Sequence, residues 1–479
     1  MNTRTYYRPL AAVSVATLLL LSGCGGGGNG GGSFFAGVGV GGNTSNNSGS
    51  NPAGSGESSD GSGSTAKFTI GGLISGLNFE GLALQNNGSD LLSVASGATA
   101  FKFATALPSG AAYNVDFATF PFGQACSLNG QSGIATADVV SVAIVCGDWS
   151  GASATVVPFA GSTTRGFQDG TGTDAGFNGP FGLAFAPDGT LFVADSDNNM
   201  IRQVTSAGVV STLAGDHINA GYLDGIRTAA RFQNPRGIAI DASGTAYVTD
   251  YENHMIRRIT PGGVVDVFAG KTAWGYVNDT GTDAQFMNPW GIVMDSSGNL
   301  FVADQNNNVI RKITPAREVS TFAGSGTPGL VNANGESAQF KQPAGLAIDA
   351  DDNLYVGDQG NNVIRKITPT KDVSTFAGSG SPASVDGIGA SASFSLPTGV
   401  ATDGGGNVYV TELLSNSIRK ISQTRNVTTL AGRGTWGYED GPGDSAKFSD
   451  PLGVTVDRNG DVFVADRSNN MIRKITRSR

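Results

Sequence analysis

From Phe177 to Ile475 short apolar runs come in groups of four, separated by Gly, Asn or Pro. In one stretch they are Gly291 to Met294, Leu300 to Asp304, Val309 to Thr314 and Val319 to Phe322. Alternating or continuous apolar runs this short, bounded by turn residues, predict β-strands. No apolar stripe follows the helical period, so the fold class is read as all-β. The groups recur around the phrase Phe-x-x-Pro-x-Gly, whose phenylalanines are Phe177, Phe232, Phe286, Phe340, Phe394 and Phe448, at spacings of 55, 54, 54, 54 and 54 residues. So regular a period marks an array of like units. Four strands per unit describe a blade, and six units describe a six-bladed β-propeller over residues 150–479.

The ends of the array predict how it closes. The last unit stops after its third strand, Met471 to Thr476, while a run ending in Phe-Ala-Gly, Thr155 to Gly161, precedes the first unit. Pairing that N-terminal run with the C-terminal blade would supply the missing fourth strand and remove two open sheet edges.

The wording of each unit, as in Pro289-Trp-Gly-Ile, Gly298-Asn-Leu-Phe-Val-Ala-Asp304 and Asn308-Val-Ile-Arg-Lys-Ile313, resembles the NHL repeat over roughly residues 155 to 476. The resemblance implies a propeller that binds a protein, peptide or glycan on one face. It also implies an alternative, because six-bladed relatives include metal-dependent lactonases, lyases and hydrolases that work in the central channel.

Upstream of the array the pattern changes three times. Arg4 and Arg8 precede an apolar run from Leu10 to Leu21 that is too short to cross a bilayer. Together they have the layout of a secretory signal, residues 1–23. Leu21-Ser-Gly-Cys24 resembles a bacterial lipobox, which implies that Cys24 is acylated and holds the protein to the lipid bilayer. Gly25 rather than Asp follows it, so the expected location is the outer membrane of the cell envelope. Residues 24–65, almost entirely Gly, Ser and Asn, read as a flexible linker with a reach on the order of 35 Å. Residues 66–147 return to alternating runs, from Phe68 to Leu73 through Val139 to Cys146, and read as a small Ig-like β-sandwich. Cys126 and Cys146 are the only cysteines besides Cys24, and an even pair within one exported domain predicts a disulfide.

Charge and chemistry narrow the function. Only 14% of the residues are charged, and the net charge of −9 with a pI near 4.8 argues against nucleic acid as a partner. Two histidines, His217 and His254, are present, in no HxH or HxxxH arrangement. A propeller places the connector and the loop that carry them on the same face, where, if they converge with Glu252, they could form an acid/base or metal pair. The acids Asp195, Asp250, Asp304, Asp358, Glu412 and Asp466 recur at one position, each seven residues before an arginine, and sixfold recurrence assigns them to the scaffold. No catalytic residue, metal or cofactor is expected.

The informative positions are those that differ between units. Phe181, Arg236, Trp290, Ala344, Thr398 and Leu452 follow the proline of each phrase, at the start of the innermost strand, and are expected to ring the mouth of the channel. The connectors read Arg165-Gly-Phe167, Ala220-Gly-Tyr222, Trp274-Gly-Tyr276, Pro328-Gly-Leu330, Ala383-Ser-Val385 and Trp436-Gly-Tyr438. Their aromatics either form a ligand platform or wedge between blades. The binding candidates are therefore Arg236, Trp290, Trp274, Tyr276, Tyr222, Trp436, Tyr438, His217 and His254.

Overall fold

A computed structural model describes residues 66–477. The signal sequence, Cys24 and the linker expected before residue 66 lie outside the described residues. Those described are all-β, with strands joined by turns and single 3-10 turns and no α-helix among them.

Residues 67 to 148 form two four-stranded sheets on one core, with a two-stranded ribbon, Lys67–Phe68 paired with Leu107–Pro108, beside them. Ala100–Lys102, Ile70–Ser75, Val139–Asp148 and Gln124–Asn129 make one sheet, while Asp90–Val94, Leu82–Asn86, Ala112–Thr119 and Ser132–Ile134 make the other. Ile70, Leu84, Phe103, Val115 and Ile144 fill the space between them. Asp90–Val94 and Ser132–Ile134 go beyond the sequence pattern. Both are edge strands, and their mostly exposed side chains leave no apolar alternation to read. Cys126 and Cys146 stand opposite each other in neighbouring antiparallel strands and are disulfide-bonded, with Cα atoms 4.0 Å apart.

Beyond Trp149 the chain builds six antiparallel blades. In the third, Pro289–Met294 pairs with Leu300–Asp304, which pairs with Val309–Ile313, which pairs with Val319–Ala323. The last blade takes its outer strand from the other end of the repeat array: Ala154–Gly161 pairs antiparallel with Met471–Arg477. Two-residue strands such as Gly170–Thr171 and Gly441–Pro442 add a fifth, outermost ribbon to several blades, too short to announce itself in sequence.

The glycine of each Phe-x-x-Pro-x-Gly phrase is where neighbouring blades touch. A Cβ on Gly182, Gly237, Gly291, Gly345 or Gly399 would come inside 3.0 Å of the carbonyl oxygen of Arg236, Trp290, Ala344, Thr398 or Leu452 of the next blade. Gly453 makes the same approach to the Phe181 carbonyl, so the sixth inner strand meets the first. Only glycine permits backbones to lie this close, which explains its place in every unit.

The sandwich packs against the fifth and sixth blades. Trp149 is fully buried and meets Tyr409 edge-on at 6.2 Å. Arg477 donates to the carbonyls of Gln124 (2.7 Å) and Pro121 (3.2 Å), and Lys420 Nζ donates to that of Gly123. Phe122 covers Gly404 and Gly405 in the turn between the first and second strands of the fifth blade. That turn is at the opposite end of the blade from the connectors, so this packing leaves the connector face uncovered.

Candidate functional site

One polar network, repeated in every blade, builds the connector face. In the third blade Asp304, fully buried, accepts the backbone N–H of Met287 on Oδ1 (2.8 Å), and its Oδ2 accepts Asn307 Nδ2 and Arg311 Nη1, each at 2.8 Å. Asn307 Nδ2 also donates to the carbonyl of Gly275, and Arg311 Nη2 to that of Val277 and to Asn278 Oδ1. The connector is thereby tied to the turn between the second and third strands. The same arrangement recurs around Asp195, Asp250, Asp358 and Asp466; in the fifth blade Glu412 takes the acid's place, with Ser384, Ser415 and Ser417 supplying hydroxyl donors. Burial pushes Asp195, Asp250, Asp304 and Asp466 up to about 6, against the lowering pull of their arginines and amide donors. A buried charge without its partner is costly, so the network serves as a rigid frame rather than a reactive centre.

On this frame the connectors raise their aromatics. The Arg257, Arg311 and Arg473 guanidiniums lie about 5 Å from the rings of Tyr222, Tyr276 and Tyr438, while 43 to 45% of each tyrosine stays exposed. Trp274 and Trp436 are freer still, at 63% and 79% exposed. The two tryptophans do not wedge between blades; the tyrosines both brace the frame and face solvent. Phe167 and His217 stack face to face, with ring centroids 3.7 Å apart.

His254 has a structural partner. At this position the other blades carry Asn199, Asn308, Asn362, Asn416 and Asn470, each in the left-handed conformation and each accepting a backbone N–H of the following blade. His254, at φ 59°, does likewise: its Nδ1 accepts the N–H of Asn288 at 3.2 Å. Burial lowers its basicity while Glu252 opposes that shift, and a neutral ring keeps the accepting lone pair. Among the described residues no hydrogen bond or ring stacking joins His254 to His217, and no group of three or more His, Cys, Asp or Glu is placed to hold a metal ion.

The inner strands enclose an axial cavity of about 340 Å³. Phe181, Trp290 and Leu452 line it together with residues such as Leu183, Ile238, Val400 and Met294, and Thr402 and Thr455 supply its polar side chains. No carboxylate, imidazole or amine is among the lining side chains. Ala344 and Thr398, expected beside them at the mouth, are fully covered instead, because their short side chains do not reach the axis. Arg236 lies against this rim: its guanidinium carbon is 3.2 Å from the Tyr251 ring centroid, 4.1 Å from that of Trp290 and 5.0 Å from that of Phe181.

Sequence reasoning missed the turn residues that finish the rim. Tyr251 Oη donates to Gln305 Oε1 (3.3 Å), and Gln305 Nε2 to Gln359 Oε1 (3.4 Å), an arc of hydrogen bonds across three blades. Arg467 reaches Asp197 at 3.3 Å across the junction of the sixth and first blades. A signal was available: the residue after each recurring acid is Ser196, Tyr251, Gln305, Gln359, Leu413 or Arg467, as divergent as the connectors.

The NHL repeat profile matches residues 232–259, 286–313 and 448–475, which lie in the second, third and sixth blades. The ring is an NHL-repeat β-propeller. The chain is 30% identical over 306 residues to Protein SUPPRESSOR OF QUENCHING 1, chloroplastic, of Arabidopsis thaliana, covering 60% of this chain and 29% of that one. It is 29% identical over 323 residues to NHL repeat-containing protein 2 of Homo sapiens, covering 59% and 44%. It thus spans less than half the length of these relatives. Among solved structures, a structural genomics protein of unknown function from Bacteroides thetaiotaomicron superposes with a TM-score of 0.55 at 19% identity, covering 82% of this chain and 90% of that one. An auxiliary nutrient binding protein from the same organism superposes at 0.52 and 17% identity, covering 83% and 91%.

Proposed function

We propose that this is an exported, noncatalytic binding protein that takes up a protein, peptide or glycan on its connector face, held to the bacterial cell envelope through an acylated Cys24. The observation that carries the reading is the exposure of Trp274 and Trp436 on a face otherwise braced by buried ion pairs. Large aromatics left in water are the residues that bury most area on binding at least cost in conformational freedom. They belong to the third and sixth blades, on opposite sides of a six-membered ring, which suits an extended ligand lying across the face better than a small molecule held at one point. The axial cavity offers no acid, base or anionic metal ligand among its lining side chains, so binding accounts for the geometry better than channel chemistry does. The Cys126–Cys146 disulfide fits an oxidising compartment outside the cytoplasm. The naming of one fold neighbour as an auxiliary nutrient binding protein accords with a binding role.

The test is a thermal-shift screen of the full chain against peptides and oligosaccharides, repeated with Trp274→Ala and Trp436→Ala. A stabilising ligand whose effect disappears in these variants supports the face; a ligand that binds both variants as tightly as the parent removes it. Cys24→Ser tests the anchor separately, since retention in the membrane fraction would exclude acylation at that residue as the tether.

A further inference from the structure

Six arginines are fully buried on the connector side of the propeller and a seventh, Arg236, is partly buried there; the six follow one rule. Arg202, Arg257, Arg311, Arg365, Arg419 and Arg473 each face a fully buried carboxylate at 2.8 to 3.1 Å and donate to carbonyls besides. Arg477, on the sandwich side, has three carbonyl acceptors. Arg236 breaks the rule. It forms no ion pair: its Nε donates to Asn234 Oδ1 at 3.0 Å, Tyr251 is its other hydrogen-bonding neighbour, and its Nη1 is buried without a partner, as the Nε of each frame arginine is. Glu252 pulls on it only at a distance, and the nearby Arg467, already paired with Asp197, repels it.

Aromatic faces hold the group in place but leave its in-plane Nη1 donor without an acceptor. Tyr251 and Trp290 attract the cation through their π faces, while the N–H edge of a guanidinium is shaped for two parallel bonds to a carboxylate. A buried donor without an acceptor costs more than a packed apolar group at the same place. The other blades show that such a group fits, because Phe181, Trp290 and Leu452 occupy the equivalent position. Arg236 is thus a cation held among aromatic rings, at the rim of the axial cavity, lacking the anion that every frame arginine has.

We propose that Arg236 is the anchor of a carboxylate-binding subsite at the mouth of the propeller, and that the ligand supplies the missing anion. The Tyr251–Gln305–Gln359 arc beside it offers amide and hydroxyl groups to the remainder of the ligand. The carboxylate could belong to a peptide terminus or to a sugar acid, which share this chemistry. The inference deepens the binding reading and rests on it only for the face of approach.

The experiment titrates the full chain with N-acetylglycine and with glucuronate, using N-acetylglycinamide and glucose as uncharged controls, and follows tryptophan fluorescence and heat of binding. Saturable binding is expected for at least one acid and for neither control, and the acid that binds identifies the source of the carboxylate. Arg236→Leu should weaken that binding by about tenfold or more, as loss of a charge-assisted bidentate pair requires, while melting no lower than the parent. Arg236→Lys keeps the charge without the fork and should fall between. Equal binding of acid and amide, unchanged affinity in Arg236→Leu, or no saturable response to either acid overturns the subsite. A purely structural arginine would instead lower the melting temperature of both variants and leave acid binding unchanged. None of these outcomes depends on Trp274 or Trp436, so failure here leaves the connector face standing, and the reverse.

Discussion

The frame acids and the positions just inside each proline occupy neighbouring places in the same blade, yet they have opposite histories of use. The first is nearly invariant round the ring: five aspartates and Glu412, each facing an arginine seven residues later. The second is Phe181, Arg236, Trp290, Ala344, Thr398 and Leu452, six different side chains on six superposable backbones. What the ring repeats holds the connectors to the turns; what it varies includes the side chains that line the axial cavity, Phe181, Trp290 and Leu452, and the exposed aromatics of the connectors. In a repeat protein the asymmetry therefore identifies candidates for recognition, and the symmetry identifies the scaffold.

The largest effect should come from breaking the symmetry itself. Removal of residues 154–161 takes the outer strand from the sixth blade and leaves the Met471–Arg477 edge unpaired. Exposed strand edges invite association between chains. The expected outcome is an aggregating protein with no cooperative melt, read by light scattering and calorimetry; an unchanged melting temperature would mean the ring does not need this strand.

Next comes the frame. Arg311→Ala leaves Asp304 buried without its cation and takes one of two donors from the carbonyls of Gln285 and Val277. Breaking one partner of a buried pair costs about 3 to 5 kcal/mol. Chemical denaturation should show a loss of that size, and a loss under about 1 kcal/mol would reduce the network to decoration. Reduction of Cys126–Cys146, which closes a loop of about 20 residues, should cost the sandwich around 3 kcal/mol, seen as an earlier unfolding step on adding a reductant.

The architecture was legible because a propeller blade repeats its signals: apolar runs at fixed intervals, glycine where backbones touch, an acid and an arginine at constant separation. The pairing of Ala154–Gly161 with the last blade could be read from one absent and one surplus strand. The site was only half legible. Trp274, Trp436, Tyr222, Tyr276 and Tyr438 announced themselves as large aromatics in connectors, but sequence could not say whether they faced water or wedged between blades, since that depends on where the frame arginines lie. That His254 stands where other blades carry asparagine was legible in the sequence, but not that its unprotonated ring nitrogen would accept an amide as a carboxamide oxygen does. The solitude of Arg236 was invisible, since a missing partner is a fact of three dimensions.

A smaller effect follows from pH. Asp195, Asp250, Asp304 and Asp466 titrate near 6 in the folded ring, against the usual 3.8 when unfolded. A carboxyl raised in the folded state binds its proton more readily there, so its contribution to stability is fully present below about 4 and is lost as pH rises through about 6. The melting temperature at pH 5 should therefore equal or exceed that at pH 7.5. A fall on acidification across that window would show the arginines winning over burial and holding the acids below their usual range.

The smallest effect on stability belongs to the residues with the largest expected effect on binding, which makes them the sharpest test of the comparison. Trp274 and Trp436 keep most of their surface in water, so truncating either to alanine removes little packing and should shift stability by less than about 0.5 kcal/mol. If they are the platform, each truncation should still cost about 1 to 3 kcal/mol of affinity for an extended ligand. The double variant should then lose less than the sum for a ligand too short to reach from the third blade to the sixth, and close to the sum for one that spans them, because distant contacts add only when both are made. Additivity that does not change with ligand length would mean the two tryptophans act as separate sites, and the varied face would then be a set of independent patches rather than one surface.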